Sequence, residues 1–205
     1  MNLQERFKQN LLPYTQDQNI IDALWKEIEF QYSQKERHYH NLEHLDNMFS
    51  ELELVKSNIS NFSNISFSVF YHDVIYNATS KLNEEKSAGL AKERLQEMSV
   101  EQKSIDQIYD QISATKSHQK SIDEDINYFL DVDLSILGKD TQTYLDYTKK
   151  IRKEYSIYPD LLYNPGRKKV LKYFLDLENI FKTDYFKNKY ENQAKINLEY
   201  ELTTL

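Results

Sequence analysis

Apolar residues recur along this chain three or four positions apart, with polar residues between them. The segment at 17–32 shows the spacing in Ile20, Ile21, Leu24, Ile28 and Tyr32. Side chains spaced in this way share one face of an α-helix. The pattern predicts about nine helices, at 17–32, 42–55, 67–76, 81–98, 102–116, 122–137, 140–156, 166–181 and 186–203.

Two of the boundaries rest on local signals. The run from Phe67 to Tyr76 is so apolar that its periodicity does not separate helix from strand, and the helical character of the rest of the chain favours a helix. Residues 57–66 are rich in Asn and Ser, which predicts a loop. Asn41 is a typical N-cap residue, so the helix that follows it would leave His40 just outside.

Composition supports an all-α fold. Three glycines and three prolines are too few for the many tight turns of an all-β protein. The 205 residues contain no repeat, low-complexity tract or linker, so we expect one domain over 1–205 with a sizeable core. The 16 tyrosines indicate a large buried area whose hydroxyl groups need partners.

Several functional classes are disfavoured by what the chain lacks. Without cysteine there can be no disulfide and no thiolate zinc site, so any metal must use nitrogen and oxygen ligands. The absence of an apolar targeting or membrane segment predicts a cytoplasmic protein. A net charge of −7 with no basic block argues against a nucleic-acid polymer as partner. Aromatic-rich helices can bury the interface of a homodimer, so the sequence leaves the oligomeric state open.

The histidines are the first candidates for chemistry. Three of the five lie close together, as His38, His40 and His44, and a fourth, His72, precedes Asp73 in an apolar segment. Burying a His-Asp pair is costly because polar groups lose their water partners. A divalent metal ion would supply those partners. Each residue alone is more often a hydrogen-bonded structural residue than a ligand.

The predicted helix at 122–137 carries a carboxylate on its apolar face. The apolar stripe consists of Ile122, Ile126, Phe129, Leu130 and Leu137. Asp133 falls in the middle of this stripe, whereas Asp131 points well away from it and is expected to be solvated. A carboxylate directed into a core is normally paired or neutral. The alternatives are a hydrogen-bonded structural Asp133 and a metal ligand, and the His72-Asp73 pair favours the ligand.

The order His44, His72-Asp73, Asp133 resembles the H…HD…D signature of the HD-domain superfamily of metal-dependent phosphohydrolases. It is most similar to a bacterial branch described as predicted HD phosphohydrolases. The matching blocks extend over nearly the whole chain: RHYHNLEH (37–44), FYHDVIYN (70–77), NEEKSA (83–88), TKSH (115–118), DVDLSILG (131–138), IRKEY (151–155), GRKKVL (166–171) and NLEYEL (197–202). The resemblance implies an HD-domain-like helical bundle with a metal ion on His44, His72, Asp73 and Asp133.

Two imidazoles and two carboxylates suit Mn²⁺, Fe²⁺, Co²⁺, Ni²⁺ or Zn²⁺ better than Ca²⁺, with Mg²⁺ as a further candidate. The resemblance implies that the ion and Asp73 take part in activating water for attack on a phosphate ester. Some HD nucleotidases carry a Glu shortly after the HD pair, but the stretch from Val74 to Asn77 contains no acid.

Glu84 is the best substitute for that acid, because it shares helical spacing with a stripe of small and apolar residues. Its alternative role is that of a first-turn Glu favoured by the helix dipole. His118 follows a predicted helix end, where it would contact phosphate, act as a general acid or bind a second metal ion. The alternative for His118 is a plain surface histidine.

Arg37 and Arg167 are candidate phosphate clamps, because a guanidinium presents a bidentate fork. Arg167 follows Pro165-Gly166 at a predicted helix start, which would also direct backbone N–H groups at an anion. The alternative for either arginine is a pair with a buried acid such as Glu154. Arg152, Glu154 and Tyr155 are interpreted as a structural network. His40 would orient His44 or contact the substrate.

These observations predict a metal-dependent phosphohydrolase of the phosphomonoesterase type. Its substrate would be a small phosphate ester, for example a nucleotide. The main alternative is a non-catalytic, metal-containing binder of a nucleotide or other phosphorylated ligand. A two-iron HD-type oxygenase would need six His and Asp ligands, which the motifs do not supply. The last alternative is an interaction protein with a merely hydrogen-bonded polar core.

Overall fold

The computed structural model describes the whole chain, residues 1–205, and confirms the all-α prediction. It contains ten α-helices and no strand. They are α1 (Leu3–Leu11), α2 (Gln18–Tyr32), α3 (Leu42–Val55), α4 (Phe62–Tyr71), α5 (Asn83–Glu97), α6 (Gln102–Ala114), α7 (Glu124–Asp133), α8 (Thr141–Glu154), α9 (Asp160–Asp176) and α10 (Asp184–Thr204). Two short 3₁₀ helices lie at Lys56–Asn58 and Leu134–Gly138.

Helix α4 is the centre of the bundle. Its last eight residues are all buried, and it packs against α1, α3, α5, α6 and α7. A helix that is apolar on every side must be surrounded by other helices. The apolar cluster around it holds 40 buried residues and takes side chains from all ten α-helices. Helices α3, α4 and α7 pack on one another and carry the residues of interest.

The central helix lies five residues earlier than predicted, because polar side chains cap it or form hydrogen bonds within it instead of ending it. Asn61 caps it by accepting a hydrogen bond from the Asn64 N–H. The hydroxyls of Ser66 and Ser68 donate to the carbonyl oxygens four residues before them. Serine in a helix can satisfy its hydroxyl in this way. The predicted loop at 57–66 is therefore wrong over its second half, and the chain leaves the helix before Asp73.

Helix α9 also begins earlier than predicted. The prediction placed its start at Gly166, but the helix runs from Asp160 and contains Pro165 as its sixth residue. Pro159 lies before the first turn with the φ of −64° that a proline imposes. Arg167 is therefore inside the helix, and the predicted helix start beside it, with free N–H groups for an anion, is absent.

Two further differences concern the ends of helices. The short helix α1 is absent from the predicted set; Asn2 caps it, and it buries Phe7 and Leu11. Helix α7 ends at Asp133 and continues as the second 3₁₀ helix, instead of running as one helix to 137. Asp133 thus lies at a helix end. None of the ten helices combines the length and the apolar character that crossing a bilayer requires.

Gly138 is the position where the fold tolerates least change. It ends the second 3₁₀ helix, which packs on α10, and a Cβ there would overlap the Tyr190 side chain and lie 2.8 Å from its carbonyl oxygen. We predict that Gly138→Ala lowers the free energy of unfolding by about 1–3 kcal/mol, the usual cost of overpacking. Chemical denaturation monitored by circular dichroism measures this change.

Gly89 supplies the matched control. It is exposed on α5, and a Cβ there would meet no atom within 4 Å. Gly89→Ala should raise the free energy of unfolding by about 0.4–1 kcal/mol, because alanine loses less backbone freedom on folding than glycine. Equal stability of the two variants would contradict the packing of the 3₁₀ helix on α10.

Candidate metal centre

Three helices bring four predicted ligands to one place. His44 is the third residue of α3, whose first turn is fixed by Asn41: the Asn41 side chain accepts hydrogen bonds from the N–H groups of Glu43 and His44. This confirms the predicted N-cap. His72 and Asp73 follow directly after α4, and Asp133 is the last residue of α7. All four side chains therefore sit at or near helix ends on one face of the α3–α4–α7 packing.

The ligand atoms face each other. The Nε2 atoms of His44 and His72 are 3.2 Å apart. The Oδ1 atom of Asp133 lies 3.2 Å from Nε2 of His44 and 3.8 Å from Nε2 of His72. Asp73 places its Oδ2 3.1 Å from Nε2 of His72, but it lies outside the group of three side chains whose donor atoms are all close to one another. His44, His72 and Asp133 each offer an atom within 4.8 Å of the others, a spacing that can hold a metal ion.

The tautomer of His72 is set by the backbone. Its Nδ1 lies 2.9 Å from the carbonyl oxygen of Val69, which can only accept a hydrogen bond. Nδ1 therefore carries a proton, and in the neutral ring Nε2 presents a lone pair to the centre. That lone pair faces a second imidazole and two carboxylates. This arrangement of a histidine oriented by a carbonyl is typical of metal ligands.

Two carboxylates dominate the electrostatics of the centre. Burial disfavours the imidazolium form of His72, but the carboxylates of Asp73 and Asp133 outweigh burial and raise the pKa of His72 to about 9. Burial raises the pKa of both carboxyls, yet the imidazoles hold the pKa of each well below its usual range. Burial lowers the pKa of His44. The donor set of two nitrogens and two carboxylates fits a divalent transition metal ion.

His40 lies beside the centre and is oriented by Glu154. Its Nδ1 is 2.6 Å from Oε2 of Glu154, and its Nε2 is 3.9 Å from Oδ2 of Asp73. Glu154 also accepts hydrogen bonds from the N–H groups of Tyr39 and His40 and from the Tyr76 hydroxyl. The predicted structural role of Glu154 thus includes a direct bond to a histidine of the site.

His118 joins the centre through Asp133. Its Nε2 lies 3.0 Å from Oδ2 of Asp133, the oxygen not shared with His44. The backbone of His118 has a φ of 50°, an uncommon value for a residue other than glycine. Such strain is found most often at functional sites. The structure therefore places this candidate catalytic residue in contact with Asp133, a candidate metal ligand, whereas a plain surface histidine would have no such partner.

Glu84, the other candidate for proton transfer, does not contact the centre. It is half-buried in the first turn of α5, and its side chain forms no hydrogen bond or ion pair with the four ligands. The neighbouring Glu85 pairs with Lys116. Glu85 raises the pKa of Lys116, and the charge of Glu84 adds a smaller effect in the same direction. The structure therefore favours His118 over Glu84 as the proton-transfer group.

The guanidinium of Arg37 donates to backbone carbonyl oxygens and is therefore not a free phosphate clamp. Nη1 donates to the carbonyl oxygens of Asp73, at 2.6 Å, and His40, at 3.2 Å, and Nη2 donates to that of Val74, at 2.9 Å. Only 7% of Arg37 is exposed. Its role is to hold the segment after α4, and with it Asp73, against the segment before α3.

Arg167 also has a protein partner. Its Nε and Nη2 donate to the two carboxylate oxygens of Glu201 at 2.7 and 2.9 Å, and this buried pair joins α9 to α10. A buried acid was the predicted alternative partner, but the acid is Glu201 and not Glu154. Arg167 also lines a pocket beside His40, so its contact with a substrate phosphate stays a prediction.

Asp131 is a residue that the helical pattern placed wrongly. Its expected position was in solvent, but it is fully buried. It accepts hydrogen bonds from the N–H groups of Lys182 and Thr183 and from the Thr183 hydroxyl. Burial, only partly offset by these bonds, raises the pKa of Asp131 to about 6. The partner segment lies some fifty residues away, so no local pattern could reveal it.

Two open pockets adjoin the centre. One, of about 560 Å³, has His40 on its wall and is otherwise mostly aromatic and apolar, with Tyr147, Tyr155, Tyr158 and Tyr163. The other, of about 590 Å³, is polar and includes Arg37, Tyr76 and Glu154. Both contain Ala78, so they flank the same edge of the site. Their sizes suit a small organic ligand.

Comparison of the chain with protein-family models, with curated proteins and with solved structures returned no match. The function of the site therefore has to be inferred from its own residues and their geometry.

Metal binding should depend on Asp133. We predict that the purified protein, incubated with Mn²⁺ or Co²⁺ and desalted, retains about one equivalent of metal, and that Asp133→Asn loses most of it because an amide oxygen carries no charge. Asp110→Asn, which changes an exposed aspartate of α6, should bind as the unchanged protein does. Elemental analysis measures the content. Full occupancy in Asp133→Asn would refute the ligand assignment.

Glu154 should contribute to stability as well as to the position of His40. Glu154→Gln replaces one acceptor oxygen by a donor that faces other donors, so the free energy of unfolding should fall by about 1–3 kcal/mol. The matched change Glu43→Gln affects an exposed pair with Lys150 and should stay within about 0.5 kcal/mol. Urea denaturation compares the two. Equal effects would show that the Glu154 network is not a stabilising one.

Proposed function

We propose that the protein is a metal-dependent phosphohydrolase that acts on a small phosphate ester. The observation that carries the proposal is the meeting of His44, His72, Asp73 and Asp133, which are far apart in the chain but whose donor atoms face one another across a few ångströms. The order of these residues resembles the HD-domain signature, and their geometry supports that interpretation.

The four side chains would hold one divalent transition metal ion, with Mn²⁺, Fe²⁺, Co²⁺, Ni²⁺, Zn²⁺ and Mg²⁺ as candidates. When bound, such an ion supplies Lewis acidity toward a phosphoryl oxygen and makes a nucleophilic oxygen available near neutral pH. Asp73 and Asp133 provide the negative charge that retains the cation. Arg37 keeps Asp73 in place, because it binds the carbonyl oxygen of that residue.

His118 is the proposed proton donor for the leaving oxygen. Its imidazole hydrogen-bonds Asp133 and also lines an open pocket. A histidine held in one orientation by a carboxylate is suited to act as a general acid. His40, held by Glu154 at the opposite edge next to Asp73, is the proposed contact to the substrate.

The aromatic pocket next to His40 supports a nucleotide as substrate. Tyrosine faces are good stacking surfaces for a planar base. With His40 on the wall of this pocket, a base held there would place its phosphate toward the metal centre. The pocket volume of about 560 Å³ accommodates a nucleoside.

The second candidate is a non-catalytic, metal-containing binder of a nucleotide or another phosphorylated ligand. The observation that favours it is the stretch from Val74 to Asn77, which contains no acid where some HD nucleotidases have one. Glu154, which accepts a hydrogen bond from the Tyr76 hydroxyl of this stretch, is engaged by four donors in all.

A screen separates the two functions. We expect the protein loaded with Mn²⁺ or Co²⁺ to release inorganic phosphate from at least one class of nucleotide or sugar phosphate. His118→Gln should then lower kcat by about 10²–10⁴-fold, the usual contribution of a general acid. The control Asp110→Asn changes an exposed residue of α6 that lies outside the centre and its pockets, and it should keep full kcat.

Glu84→Gln tests the rival proton donor in the same assay. A kcat loss in Glu84→Gln with full kcat in His118→Gln would reverse the assignment. Persistent inactivity of protein that carries a full equivalent of metal would favour the binder.

A further inference from the structure

A buried lysine lines a cationic pocket on the far side of His118. The pocket measures about 290 Å³, and its charged side chains are Lys120, Lys182, Lys187 and Glu178. Only 5% of Lys182 is exposed, whereas Lys120 and Glu178 lie at the exposed rim. Three lysines and one acid line the pocket, called here the lysine pocket, so its lining is net positive, although Lys187 also pairs with Asp184 at 3.6 Å.

The ammonium of Lys182 has unused donors. Its Nζ donates to the carbonyl oxygen of Ile180 at 2.5 Å, and no carboxylate oxygen lies within 4.0 Å of it. An ammonium carries three N–H donors, so two remain for a ligand or water in the pocket. Burying a charge without a direct partner is costly. Burial accordingly lowers the pKa of Lys182 to about 8, against the opposing charges of Asp131 and Glu191, and this value leaves the group mostly protonated at neutral pH.

The backbone that carries Lys182 is held rigidly. Glu191 accepts hydrogen bonds from the N–H groups of Ile180 and Phe181, both at 3.0 Å. Asp131 accepts those of Lys182 and Thr183, at 2.7 and 2.8 Å. Four consecutive backbone N–H groups are thus bound by two buried carboxylates. A charged side chain on so fixed a segment is preorganised for a ligand.

The lysine pocket begins one side chain away from the metal centre. The imidazole of His118 lines the pocket and also bonds Asp133 at 3.0 Å. Lys120 lies two residues after His118, and Lys187 lies in the first turn of α10. A ligand group in the pocket would therefore lie on the opposite side of His118 from the ion.

We propose that the lysine pocket binds a phosphoryl group of the substrate other than the one at the metal centre, so that preferred substrates carry at least two phosphates. The identity of this ligand as part of a substrate rests on the proposed function. Anion binding by the pocket does not, because it requires neither metal nor turnover. The pocket takes the role that the sequence analysis gave to Arg37 and Arg167, whose guanidinium groups are engaged elsewhere.

Inorganic pyrophosphate is the probe for this proposal. Protein stripped of metal with EDTA is titrated with pyrophosphate by isothermal calorimetry, and binding is expected. Lys182→Met should weaken it at least tenfold, because a charge-assisted contact is lost. Lys172→Met changes an exposed lysine of α9 that does not line the pocket, and it should bind as the unchanged protein does.

A second variant keeps the test valid if Lys182→Met fails to fold, which circular dichroism would reveal. The double variant Lys120→Met with Lys187→Met alters rim positions and should also weaken pyrophosphate binding at least several-fold. No binding by the unchanged protein, or unchanged affinity in the double variant and in folded Lys182→Met, would overturn the proposal and leave Lys182 as a counter-charge for Asp131 and Glu191.

The two proposals fail separately. Pyrophosphate binding that depends on the lysines would uphold the pocket even if no phosphate ester is hydrolysed. Conversely, hydrolysis of a diphosphate substrate with an unchanged KM in the lysine variants would overturn the pocket and leave the proposed function intact.

Discussion

The hydrogen bond from His72 to the carbonyl oxygen of Val69 is the constraint on which the site depends. It places a proton on Nδ1, so in the neutral ring the lone pair of Nε2 points at another imidazole and at two carboxylates. A buried arrangement of this kind is unfavourable unless a cation or a proton joins it. The folding energy of the bundle has to hold these groups together, and a bound divalent ion would turn a costly cluster into a stabilising one.

Helix geometry adds to the preference for a cation. His72 follows the C-terminus of α4, and Asp133 ends α7, so the negative ends of two helix dipoles converge on the centre. An aspartate at a helix C-terminus is disfavoured in isolation, which makes Asp133 hard to explain by local stability alone. His118 and His40 then stand on opposite edges, each bound to an acid. The centre therefore has a defined side for proton transfer and a defined side for the aromatic pocket.

The fold could largely be predicted from short-range pattern, because the helical spacing of apolar residues predicted the bundle. The four candidate ligands were predicted from the resemblance to the HD signature. The apolar stripe of α7 was a weaker guide, because Ile122 is exposed and Asp131 is buried. Helix starts were less accurate: Ser66 and Ser68 look like loop residues until their hydroxyls are seen to bond within the helix. Pro165-Gly166 likewise predicted a helix start at Gly166, but α9 begins six residues earlier, at Asp160.

Partners distant in the chain account for the other errors. Arg167 is bound by Glu201, and Asp131 by Lys182 and Thr183, in each case across more than thirty residues. A guanidinium or carboxylate gives the same local signal whether its partner is a ligand or a distant side chain. Lys182 was overlooked for the same reason, because only the packed structure shows that it is buried and lines a pocket.

The most direct test of the metal centre is anomalous X-ray diffraction from crystals of the protein loaded with Co²⁺, recorded on both sides of the cobalt absorption edge. The geometry predicts an anomalous peak in contact with both Nε2 atoms, of His44 and His72, and with carboxylate oxygens of Asp73 and Asp133. Crystals that show no peak there despite saturating Co²⁺, or in which these four side chains face solvent separately, would contradict it.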